Sequence, residues 1–137
     1  MKCCAVVDTN VIVSGLLAKD RSASTAVVLD ALIDGRLTPL YHEDILAEYE
    51  EVLHRDKFPF YEEQIRTVIN AIKKYGIEVF PQPTGEIFVD QDDIIFYEVV
   101  MEKRDDDAYL VTGNLKHYPV RDFIVTPAEM AEILSKM

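Results

Sequence analysis

Short apolar runs alternate along this chain with helically spaced apolar residues. Cys3–Val7 is a continuous apolar run of strand length that stops on a carboxylate, Asp8. Val11–Lys19 then reads as a helix or helical turn. Thr25–Asp34 reads as a second helix, with Ala26, Leu29 and Ile33 on its apolar side and Gly35 as its stop. Leu37–Tyr41 returns to strand. Asp44–Arg55 is an amphipathic helix, and Glu62–Tyr75 is another, carrying Ile65, Val68, Ile69 and Ile72 on one face and ended by Gly76. Ile77–Phe80 predicts a strand and Pro81–Gly85 a loop. Asp92–Lys103 predicts a helix, and Tyr109–Thr112 and Phe123–Val125 predict strands. The last helix opens with an N-cap threonine (Thr126), a proline at the first helical position (Pro127) and a glutamate three residues past the cap (Glu129). Helices alternating with short, fully apolar strands predict an α/β fold, a parallel sheet covered on both faces.

Composition narrows this picture. A chain of 137 residues, 49% of them apolar, predicts a single globular domain over residues 1–137. No apolar run reaches the length of a membrane span, and the first seven residues are too short for a secretory signal. A cytoplasmic protein without a membrane partner is expected. Cys3 and Cys4 are neighbours in the first strand and point to opposite faces, so they read as buried strand residues in a reducing compartment. The net charge is −11, from 14 basic and 25 acidic residues. That balance argues against non-specific phosphate binding through a basic face. It suits carboxylates gathered around hard cations, although a solvated acidic surface accounts for most of the excess.

Four positions carry candidate chemistry. Asp8 ends an apolar strand at the carboxyl edge of the sheet, where open α/β sheets bind ligands, and a charge there calls for a partner such as a cation. Glu48 lies on the border of the stripe formed by Ile45, Leu46, Tyr49, Val52 and Leu53. Periodicity alone favours a solvated glutamate like Glu50 and Glu51 over one that reaches into a cleft. Asp90, Asp92 and Asp93 crowd a helix start, where capping and the helix dipole favour acids; of these Asp93 is best placed to reach the sheet edge. Asn114 follows Val111-Thr112-Gly113 at another strand end. It reads either as a turn residue or as an oxygen ligand. Hard oxygens of this kind suit Mg²⁺ or Mn²⁺ with a phosphate substrate.

Weaker signals accompany them. Asp105, Asp106 and Asp107 read as a solvated turn. Arg55, Lys57, Lys116 and His117 are scattered basic residues that read as surface or as phosphate contacts. His42 and His54 have no zinc-spaced partner, and the chain has no Walker loop, Gly-x-Ser-x-Gly or Gly-x-Gly-x-x-Gly.

Motifs from end to end of the chain resemble the PIN domain family, in particular its branch of toxin components of toxin–antitoxin pairs. They are Val7–Ser14, Glu48–Leu53 with Arg55, Lys57 and Phe58, Asp90–Phe96, Val111–Pro119 and Thr126–Glu129. The resemblance implies a Rossmann-like three-layer α/β/α sandwich with a five-stranded parallel sheet. It also implies Mg²⁺- or Mn²⁺-dependent hydrolysis of single-stranded RNA by an endoribonuclease. Asp8, Glu48 and Asp93 correspond to the acidic, metal-holding triad, and Asn114 stands where many relatives carry a fourth aspartate. Thr9, Asn10, Thr112, Lys116 and His117 are then candidate substrate contacts. A cognate antitoxin protein and a homodimer or higher oligomer are the expected assemblies.

Two other function classes compete. One is a PIN-fold interaction module weakened by the asparagine at 114. The other is a metal-dependent phosphohydrolase on small substrates, disfavoured because Asn10 occupies the place where an aspartyl-phosphate mechanism needs a second aspartate.

Overall fold

The computed structural model describes residues 3–137. The first apolar run forms β1 (Cys3–Val7), and Asp8 caps α1 (Thr9–Leu17) directly, so the helix begins two residues before the predicted Val11. The polar pair Thr9-Asn10 hides that start from a hydrophobic count. Next come α2 (Ser24–Asp34), β2 (Leu37–Tyr41), α3 (Glu43–Leu53), α4 (Glu62–Tyr75) and β3 (Ile77–Glu78). The chain continues through α5 (Ile94–Glu102), β4 (Tyr109–Val111), β5 (Ile124–Val125) and α6 (Pro127–Ser135).

Local chemistry explains the boundaries. Gly35 takes φ 86°, the left-handed conformation that ends α2. At the start of α6 the Thr126 hydroxyl accepts from the Glu129 amide at 3.1 Å, and the Glu129 carboxylate accepts from the Thr126 amide at 2.9 Å. This is the reciprocal capping box the sequence predicts. β3 is two residues long rather than four: Val79 still donates to the Tyr41 carbonyl at 2.7 Å, but Phe80 is 70% exposed and leaves the sheet. The predicted helix at Asp92 starts as a 3-10 turn, Gln91–Asp93, and becomes α-helical at Ile94.

All five strands are parallel, in the order β3–β2–β1–β4–β5. Ala5, Val6 and Val7 of β1 and Leu110 and Val111 of β4 are all buried, which requires cover on both faces. α2 packs against α1, α4, α6 and β2, whereas α5 packs against β1, β2, β4 and α3. Cys3 and Cys4 are half-buried rather than buried. Burial, with Cys4 beside it, pushes the Cys3 thiol up to about 11, so it stays protonated. Among the described residues no helix is long and apolar enough to cross a membrane.

Strand order decides where a site can form. Connections on either side of β1 run in opposite directions, so the chain parts at the carboxyl ends of β1 and β4. In open α/β sheets this switch point opens a crevice.

Candidate active site

Asp8 sits at that crevice because β1 ends there: its amide donates to the Val111 carbonyl at 2.9 Å, extending the ladder by one residue. The carboxylate is 7% exposed. Its Oδ2 accepts from the Thr112 hydroxyl at 2.9 Å and from the Tyr118 hydroxyl at 3.1 Å. Burial raises the Asp8 pKa, and these two donors, with the Asn10 and Thr9 amides at the start of α1, pull it partly back.

Glu48 projects from α3, half-buried, and accepts a hydrogen bond from the Thr9 hydroxyl. Its pKa is raised by burial, against the Thr9 donor, and then by the charges of Asp8, Asp92 and Asp93. The next residue, Tyr49, anchors α3 by donating its hydroxyl to the Val7 carbonyl, one residue before Asp8. Helix and strand end are thereby tied together.

Asp93 closes the 3-10 turn ahead of α5, and the Asp90 carboxylate caps that turn by accepting from the Asp92 amide at 3.0 Å. Asp93 is 8% exposed. Its Oδ1 lies 3.5 Å from the Tyr118 hydroxyl. Its Oδ2 is buried and, among the described residues, makes no well-formed hydrogen bond; the His117 ring Nδ1 faces it at 3.3 Å. Burial, then the Asp8 and Asp90 charges, push its pKa up to about 6, with His117 pulling the other way.

A single cavity of about 440 Å³ is lined by Asp8, Glu48, Asp93 and Asn114, together with Thr9, Asn10 and His117. Asn114 is exposed, and its amide donates to the Thr112 hydroxyl at 3.0 Å. Asn10 Oδ1 accepts from the Gly113 amide at 3.2 Å, so its side chain pins the turn after β4. The hydroxyls of Thr9 and Thr112 are committed to Glu48 and Asp8. Lys116 is exposed on the 3-10 turn Leu115–His117.

Tyr118 is the residue that sequence reasoning assigned no role. It is 6% exposed, packs edge-on against Phe88 with ring centroids 5.8 Å apart, and donates to Asp8. Burial and the charges of Asp8 and Asp93 raise its pKa far above the ordinary tyrosine range, so it remains a donor. Its position in Asn114–Pro119 was visible in the sequence, but its partner lay 110 residues away.

The sequence model of the PIN domain matches residues 4–116, and the chain belongs to that family. No curated protein and no solved structure matches it. PIN domains are in general nucleases that act on nucleic acid with divalent metal ions. The acidic groups around the cavity suit such an ion: their ligating atoms are oxygens, and among the described residues the buried Asp93 Oδ2 makes no well-formed hydrogen bond. Among the described residues, no three His, Cys, Asp or Glu side chains are gathered closely enough to hold one as they stand. Each acid is turned toward a hydroxyl instead, Asp8 toward Thr112 and Tyr118 and Glu48 toward Thr9.

Proposed function

We propose that this protein is a Mg²⁺- or Mn²⁺-dependent endoribonuclease that hydrolyses phosphodiesters of single-stranded RNA, as the toxin component of a toxin–antitoxin pair. One observation carries the reading: a strand end, a helix flank, a helix start and a turn each bring one oxygen-bearing side chain to the same cavity, and one of those oxygens is buried with no well-formed hydrogen bond among the described residues. Burying carboxylates beside one another is unfavourable unless a cation compensates.

In this reading Asp8 and Asp93 hold the ion. When bound, it supplies Lewis acidity and positive charge beside a polyanionic backbone. Thr112 and Tyr118 orient Asp8, and Tyr118 spans the gap to Asp93. Glu48, fixed through Oε2 by Thr9, keeps Oε1 for a water molecule or a proton. His117, beside Asp93 at the cavity wall, is the nearest ring nitrogen to a phosphate entering the cleft, and Lys116 lies next to it in sequence.

The test is cleavage. Purified protein with Mn²⁺ should degrade a single-stranded RNA oligonucleotide, leave a chromogenic phosphate monoester intact, and lose the activity in Asp8→Asn and Asp93→Asn. Hydrolysis of the monoester alone would favour a small-substrate phosphohydrolase. Metal binding without turnover of either would favour an interaction module, the reading suggested by Asn114 in place of an acid.

A further inference from the structure

Between α3 and α4 the chain runs His54-Arg55-Asp56-Lys57-Phe58-Pro59-Phe60, and Arg55 and Phe58 form one wall of the acidic cavity. Phe60 packs against the core, and Phe58 stacks on Phe60 with centroids 5.3 Å apart and ring planes 17° apart. Phe58 itself lies outside the core cluster and stays half-buried. Core packing therefore explains Phe60 and leaves Phe58 unaccounted for: an apolar ring stacked on its neighbour that lines the same cleft as Asp8, Glu48 and Asp93.

The cations around it are also placed. Glu51 accepts from Arg55 Nε at 3.2 Å and from Nη2 at 2.8 Å, which fixes the plane of the guanidinium and leaves Nη1 on its other edge. The Lys57 ammonium lies 5.1 Å from the Phe58 centroid. In a chain of net charge −11, Arg55 and Phe58 share the lining of this cavity with Asp8 and Asp93, and Lys57 lies against Phe58. Groups of opposite sign thus line one cavity, and the Arg55 guanidinium can take a nucleotide's phosphate without a metal ion.

We infer that this wall is a nucleobase subsite: Phe58 packs against one base of single-stranded RNA, and Arg55 and Lys57 take the phosphate beside it. The inference rests on the ribonuclease reading for its choice of polymer. Its chemistry is independent of turnover, because a π face accepts any base and a cation accepts any phosphate. The subsite selects for single strands, since a base in a duplex has both faces covered by its neighbours. It also sets the register of the strand, because a base held at Phe58 fixes which linkage lies against the carboxylates.

The experiment is a coupling measurement with fluorescein-labelled oligouridylate, with Ca²⁺ replacing Mn²⁺ so that binding is read apart from cleavage. One oligomer is intact, and each of the others carries a single abasic position. For the wild type, one abasic position should weaken binding roughly ten-fold. Phe58→Leu should weaken binding of the intact oligomer by a similar factor and be indifferent to that abasic position, and Phe58→Tyr should restore the wild-type pattern. Arg55→Gln and Lys57→Gln, both at exposed positions, should each reduce the dependence of affinity on salt. Phe58→Leu binding as the wild type does, or losses from the variant and the abasic site that multiply, would overturn the subsite. So would failure of the wild type to bind the oligomer. A wild type that cleaves RNA in Mn²⁺ without this coupling refutes the subsite and leaves the nuclease reading standing. Coupling in a protein that cleaves nothing does the reverse.

Discussion

The Tyr118 hydroxyl donates to Asp8 Oδ2 at 3.1 Å, joining the residue that follows the 3-10 turn Leu115–His117 to the residue that follows β1. The same hydroxyl is 3.5 Å from Asp93 Oδ1, so one neutral donor stands between two buried acids. It offsets part of the cost of holding both in apolar surroundings. Replacing Tyr118 with Phe should therefore destabilise the protein by about 1.5–3 kcal/mol at pH 7.5, the range for a hydrogen bond to a charged group. Urea unfolding gives the value, and a cycle with Asp8→Ala, which removes the acceptor, locates it. Two single losses that simply add would show that the Tyr118 effect does not come from its hydrogen bond to Asp8.

Divalent ions should stabilise the fold. An ion that binds only the folded form adds about 2.7 kcal/mol when its free concentration is a hundred times its dissociation constant. Asp8→Asn should keep the fold, since the amide still accepts from Thr112 and Tyr118, and should abolish most of the rise in melting temperature with Mn²⁺. An undiminished rise in the variant would place the ion elsewhere.

The acidity of Asp93 gives this stabilisation a pH profile. Its pKa in the folded protein is about 6, above the ordinary value near 3.9 for an aspartate, so the folded state binds the extra proton. The stability this contributes is complete below the unfolded pKa and is lost as pH rises through about 6. In EDTA, the wild type should therefore lose stability relative to Asp93→Asn between about pH 4 and pH 6.5, by at most about 1.4 kcal/mol per pH unit. The comparison with the variant is needed because His54, whose pKa is raised by the Glu50 carbonyl and by Glu62, shifts stability in the same direction. In Mn²⁺ the trend reverses: the ion competes with that proton, so the metal-dependent rise in melting temperature should be larger at pH 7 than at pH 5. A metal effect independent of pH would remove Asp93 from the binding set.

What the sequence made legible was local. The Thr126–Glu129 box, the Gly35 stop and the Glu62–Tyr75 helix are each decided within a few residues, so pattern and capping chemistry suffice to find them. Asp8 was legible because a carboxylate ending an apolar run is conspicuous by itself. Glu48 was ambiguous for the opposite reason: its environment depends on Thr9, thirty-nine residues earlier, whose hydroxyl it accepts. Tyr118 and Phe88 were not legible as site supports. Phe88 lies between the exposed Ile87 and Val89 in a segment without regular structure, and its burial follows only from the arrival of Tyr97 and Tyr118. Periodicity reports which face of an element is apolar. It is silent on which distant hydroxyl will meet a given carboxylate.

Gly76 tests the framework away from the cleft. A methyl group placed on its Cα would lie 2.3 Å from the Ile72 carbonyl oxygen and 2.6 Å from that of Pro39, both main-chain atoms. The end of α4 and the edge of β2 would have to separate. Gly76→Ala should cost about 1–3 kcal/mol by overpacking. At Gly85 a methyl group meets nothing within 4 Å, so Gly85→Ala should show only the strain of its φ of +79°, roughly 1–2 kcal/mol. Denaturant melts of the two variants make the comparison. A Gly76→Ala loss below about 1 kcal/mol with normal α4 helicity would mean that the β2–α4 approach is looser than described.

Asn114 stands where the resemblance to the PIN family leads one to expect a fourth acid, and its surroundings set what placing one there should do. The side chain is exposed at the rim of the cavity, while its amide is tied to Thr112, the residue that also donates to Asp8. Asn114→Asp changes charge at nearly constant volume and leaves that backbone hydrogen bond intact. Because the new carboxylate is solvated, its repulsion with Asp8 and Asp93 is screened, and the stability lost without metal should be small, within about 1 kcal/mol. Its gain should appear with metal: tighter Mn²⁺ binding, and RNA cleavage raised more at low Mn²⁺ than at saturation. A titration of cleavage and melting temperature in both proteins separates the effects. Equal metal affinity and equal stability would make Asn114 a turn residue only and shift weight toward the interaction-module reading. Tighter metal binding without faster cleavage would show instead that metal occupancy is not what limits the wild-type protein.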